Sequence, residues 1–115
     1  MKKMNKEYIN INDFYIPLER ANWFWPRFIG LMGKTNINYG IIFPKCNSIH
    51  TFFMKEKIDI VAINQQNEII MIARNLDKNK ILSVKNSKKN TSIIELPNNT
   101  SKGLKIGQRL ILICK

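Results

Sequence analysis

The chain has 115 residues, 44% of them apolar, and its 19 basic residues against eight acidic ones give a net charge of +11. That length suits one domain around one core, and the apolar fraction excludes a disordered chain. No apolar run reaches the roughly 18 residues that cross a bilayer, and no apolar signal segment follows the basic start MKKMNKEYININDFY, so a cytoplasmic protein without membrane contact is expected.

Residues 8–18 (YININDFYIPL) mix β-branched and aromatic residues and predict an entering strand or hairpin that Pro17 stops. Residues 1–19 are set apart as an N-terminal extension, and 20–115 as a single β domain. Asn22 can cap a short helix through WFWPRFIGLM, with Pro26 tolerated in its first turn. Phe24, Phe28 and Leu31 or Met32 then face the core, and Gly33 ends the helix. Arg27 sits among them with no acid nearby in sequence. Residues 40–43 (GIIF) are a short strand ended by Pro44.

Residues 49–54 predict the next strand, with His50, Phe52 and Met54 on one face and Ile49, Thr51 and Phe53 on the other. Lys55, Glu56 and Lys57 form a charged turn. Residues 58–64 follow, apolar on both faces except for Asp59, and read as a buried central strand. A carboxylate there needs a partner, hydrogen bonds or a place at the strand's mouth. Gln65, Gln66 and Asn67 turn the chain into an antiparallel partner over 68–74. Residues 75–90 are polar and lysine-rich, with Ile81, Leu82 and Val84 as a short edge strand. A strand over 92–96 carries Glu95 and stops at Pro97. Thr100 or Ser101 starts one helical turn that ends at Gly103, and 109–114 (RLILIC) close the domain. About eight short strands and one or two short helices describe a mainly β fold, a small antiparallel sandwich or barrel.

The charge would attract nucleic acid. Lysine dominates it, however, and arginine, whose planar fork suits phosphate and base contacts, occurs only four times. The aromatics also cluster away from the densest lysine run, so nucleic acid is disfavoured as a partner. Cys46 and Cys114 make no disulfide framework, and Cys114 reads as a packing residue of the closing strand.

Three blocks occur in a telling order. Arg27-Phe-Ile-Gly30-Leu31-Met32, with Ala21 six residues before the arginine, resembles the R-x-x-G-L-M signature of the domain-of-unknown-function 192 family. Pro44, Cys46, Ile49-His50-Thr51, Met54 and Ile58-Asp59 are similar to its P-C-x-x-[IV]-H-T-x-x-M-x-x-x-I-D pattern. Glu95-Leu96-Pro97, Gly103 and Gly107 resemble its E-L-P-x-G…G-x-x-x-G-D ending. The resemblance covers residues 20–113. Asn98 and Asn99 stand where the family has Ala-Gly, Lys57 replaces a common proline, and Gln108 replaces the acid after the last glycine. The resemblance implies a small jelly-roll-like β fold and no established activity.

Arg27, Cys46, His50, Asp59 and Glu95 are the candidate site residues. A buried Asp59 or Glu95 needs a cation, for which the Arg27 fork is the best match, and His50 can hydrogen-bond either acid. The same set would serve equally as an internal clasp between helix and sheet. A zinc site from Cys46, His50 and one carboxylate would have three ligands, but C-x-x-x-H alone is no complete motif, so no metal is assigned. A thiol enzyme would use Cys46 as nucleophile, His50 as base and Asp59 or Glu95 as orienter. No oxyanion loop is identifiable next to Cys46. The leading expectation is a non-catalytic domain without a cofactor, binding a small polar or anionic ligand through Arg27, His50, Asp59 and Glu95.

Overall fold

The computed structural model describes residues 6–21, 31, 33–84 and 90–114. They form nine strands, β1 (Glu7–Ile11), β2 (Phe14–Arg20), β3 (Gly40–Phe43), β4 (Ser48–His50), β5 (Ile58–Ile63), β6 (Ile69–Leu76), β7 (Ile81–Ser83), β8 (Ser92–Pro97) and β9 (Ile111–Cys114), and no helix among the described residues. The helix expected through WFWPRFIGLM lies outside the described residues except at Leu31. The helical turn expected before Gly103 is instead two consecutive turns, closed by Thr100 N–H on Pro97 O (3.2 Å) and Leu104 N–H on Ser101 O (3.0 Å).

Seven strands make one sheet in the order β6-β5-β8-β3-β2-β1-β9, and β4 and β7 pair separately. β1 and β2 are a hairpin whose turn residues, Asn12 and Asp13, both have positive φ (48° and 69°). Asn and Asp tolerate that backbone, and its twist matches the strands it joins. Pro17 does not end β2 as expected. It pairs with Tyr8, and pairing with β3 begins only at Leu18, so its missing N–H costs no bond on that side. β2 and β3 run parallel, a correction to a wholly antiparallel sheet.

The sheet curls until its two edges touch. Glu68 bridges Arg109, and Ile69 N–H donates to Gln108 O, Gly107 N–H to Ile69 O and Leu110 N–H to Asn67 O, each at 2.8 Å. Inside the curl lies one core, to which Ile9, Leu18, Ile42, Val61, Ile94 and Leu96 contribute from five strands. A second core lies on the outer face of β3, β5 and β8, around Ile41, Phe43, Ile60, Ala62 and Ile93, and Ile49 and Leu82 of the small sheet pack on it. Two apolar faces explain why β5 and β8 read as nearly continuous apolar runs. Gly40 lets β3 lie between β2 and β8, since a Cβ there would meet Leu18 Cδ2 at 2.8 Å and Glu95 O at 2.9 Å.

The strand expected over 49–54 stops at His50. Thr51 turns the chain away: its N–H donates to Lys80 O (2.8 Å), its Oγ1 donates to Asp77 O (2.7 Å) and accepts Lys80 N–H (2.8 Å), and Phe53 follows at φ 63°. β4 therefore leaves for the small sheet, and the charged turn joins it to a strand it does not pair with.

Candidate functional site

Register decides which polar groups share a face. Glu19, Ile41, Glu95, Ile60 and Ala73 form one row across β2, β3, β8, β5 and β6, so their side chains point to the same side of the sheet. That side is the outer one, since Ile41 and Ile60 belong to the second core. Glu95 is 4% exposed there, and its Oε2 is buried with no hydrogen-bond partner among the described residues. Burial pushes its carboxyl up to about 7, against the opposing effect of a hydrogen bond from the Leu31 backbone. Glu19 is exposed two strands away, a Cα separation of about 10 Å from the usual spacing. Tyr39 stands two residues before Ile41. Burial and then the charges of Glu19 and Glu95 raise its phenol above the ordinary value.

Asp59 lies in the neighbouring row. It is opposite Leu96, which belongs to the inner core, so Asp59 and Glu95 project from opposite faces and share no site. Opposite Asp59 the β5–β6 register shifts, and Asn75 takes φ 55°. Its N–H donates to Asp59 Oδ1 (3.1 Å), while Ser101 donates its N–H (3.0 Å) and its hydroxyl (2.5 Å) to Oδ2. Arg74 adds guanidinium bonds to Ser101 O (3.2 Å) and Leu104 O (2.7 Å). Asp59 is the pin that fixes a β-bulge and the turns after β8 to the rim of the sheet.

His50 faces outward on the small sheet. Its register partner is Ile81, which is 70% exposed. The imidazole stacks on Phe52 with centroids 4.9 Å apart, and its Nδ1 accepts Phe52 N–H (3.2 Å). Cys46 packs against the outer core and donates its thiol hydrogen to Ser48 O (3.1 Å). Neither bond joins thiol to imidazole, and Asp59 is engaged with Asn75 and Ser101. Among the described residues no three His, Cys, Asp or Glu side chains converge as metal ligands. Arg27 lies outside the described residues. Arg20 and Arg74 are committed away from Glu95, the former to Glu7 in a two-pronged pair at 2.7 and 2.8 Å. Glu19 and Tyr39 escape sequence reasoning, because only the order β2-β3-β8 brings them to the face that carries Glu95.

The DUF192 family model, described as "Uncharacterized ACR", matches residues 8–112. The chain belongs to the DUF192 family. A UPF0127 protein of Thermococcus sibiricus is 37% identical over 60 residues, which cover 47% of this chain and 39% of that relative. The match thus spans well under half the relative's length. Two crystal structures resemble this DUF192 fold. One, a protein of unknown function from Novosphingobium aromaticivorans, has a TM-score of 0.70 at 17% identity, over 92% of this chain and 83% of that one. The other, a putative transcription regulator from Sinorhizobium meliloti, has a TM-score of 0.76 at 18% identity, over 96% and 95%. At such identities the likeness is one of fold. No helix among the described residues is long and apolar enough to cross a membrane.

Proposed function

We propose that this chain is a non-catalytic binding domain that receives a small polar ligand at Glu95, on the sheet face it shares with Glu19 and Tyr39. One observation carries the reading: Glu95 Oε2 is buried without a hydrogen-bond partner among the described residues. An unpaired buried acceptor costs about 1–3 kcal/mol, while the other buried acid, Asp59, takes three donors. A ligand hydroxyl or amine donating to Oε2 would recover that cost. The ligand class is therefore a polyol, sugar or amine, and Arg27 is the group assigned to any anionic end. His50 and Asp59 are left out of this reading, because His50 faces outward and Asp59 belongs to the other side of the sheet.

The experiment is a thermal-shift screen of sugars, polyols and amino acids, followed by calorimetric titration of the hits against the native chain and Glu95→Gln. A ligand at a hundred times its Kd stabilises by about 2.7 kcal/mol, so at least one compound should raise the native Tm by several degrees and leave Glu95→Gln unmoved. A panel that shifts neither protein, or both alike, would refute the site.

A further inference from the structure

The loop after β4 and the lysines before β7 are distant in sequence and adjacent in the fold. Thr51 holds them together through its N–H to Lys80 O and its hydroxyl to Asp77 O and Lys80 N–H, and Asn79 N–H returns to Thr51 O (3.1 Å). Exposed apolar side chains flank this junction: Phe53 is 75% exposed, Ile81 70% and Phe52, stacked on His50, 37%. Lys78 and Lys80, also exposed, lie at the same junction, with Lys55 and Lys57 close by in the chain. Phe53 is held out in the left-handed region at φ 63°, where a bulky side chain is costly. The separation in sequence between aromatics and lysines thus disappears on folding.

We propose that the outer face of the β4–β7 sheet, with the His50–Phe52 stack and Lys78 and Lys80 at its edge, is a docking surface for single-stranded nucleic acid. The half-open ring stack offers a π-face to an unpaired base, which a duplex would keep covered, and the lysines offer charge to the adjoining phosphates. A net charge of +11 adds a long-range attraction of the right sign. An acidic peptide would use the lysines and leave the rings idle. A bilayer would have to dehydrate the Ser48 and Ser83 hydroxyls, which share this face with His50 and bond to one another at 3.3 Å. A nucleotide strand can hydrogen-bond both.

The test is fluorescence anisotropy of the full chain with labelled oligothymidylate and oligouridylate of about 20 nucleotides, from about 50 to 200 mM salt. Polyglutamate and anionic phosphatidylserine vesicles serve as competitors. Phe52→Ala should weaken oligonucleotide binding on the order of tenfold. Lys78→Ala with Lys80→Ala should flatten the log–log salt slope by about 1.4, at roughly 0.7 for each phosphate no longer neutralised, and keeps the test decisive should the phenylalanine variant fail to fold. Absent binding at the lowest salt would overturn the proposal. So would affinities that neither variant changes, displacement by polyglutamate at equal charge, or adsorption to vesicles alone.

Discussion

Glu95 and Asp59 sit on adjacent strands, and the pleat sends one carboxylate outward and the other inward. Their surroundings then diverge. Asp59 accepts three donors, whereas Glu95 has one buried oxygen without a hydrogen-bond partner among the described residues, and burial raises its carboxyl from an ordinary 4.5 to about 7. The sign of the resulting pH dependence is fixed. Between those two values the folded chain holds a proton that the unfolded chain has released, so Glu95 contributes stability that is complete below pH 4.5 and lost as pH rises through about 7. At about 1.4 kcal/mol per pH unit the loss is on the order of 3 kcal/mol. Urea unfolding at pH 5 and pH 8 should show that fall in the native chain and a much flatter profile in Glu95→Gln. Equal slopes in the two proteins would mean that Glu95 is not held as described.

Two turns and a bulge depend on Asp59, so its removal acts well beyond one side chain. Asp59→Ala leaves the N–H groups of Asn75 and Ser101 and the Ser101 hydroxyl without their acceptor, and should cost about 3–4 kcal/mol in equilibrium unfolding. A loss below about 1 kcal/mol would show that water replaces the carboxylate and that the turns after β8 are not pinned by it. The demand that Asp59 be paired or hydrogen-bonded is legible in sequence, because an acid inside the run IDIVAI has few other options. GIIF and SIIEL are legible for the same reason: apolar runs bounded by turn residues have the length of strands. The break after His50 is not, since the alternation from Ile49 to Met54 is that of a strand, and the Thr51 bonds that end it come from residues 77–80. Nor is the companionship of Glu19, Tyr39 and Glu95. It rests on a parallel β2–β3 pairing that leaves no local periodicity, so the acid on β8 can be named in advance but not its neighbours.

The meeting of residues 107–110 with 67–69 turns an open sheet into a curl with no free edge along that stretch, which is also a defence against pairing between molecules. If that seam belongs to the cooperative core, the amides of Ile69, Gly107 and Leu110 should exchange with solvent as slowly as those of β5 and β8, near the limit set by global unfolding. Exchange at the rate of a frayed end would show that the seam opens independently. The last strand pairs with the first, Glu7 against Cys114 through Asn10 against Ile111, and the residues just before it complete the seam. During translation the inner core therefore stays uncapped until β9 has left the ribosomal tunnel. A polypeptide arrested short of Leu110 would present unpaired strand edges and the Ile9 and Ile11 side chains to solvent or to a chaperone, a substrate for quality control rather than a weakened version of the same domain.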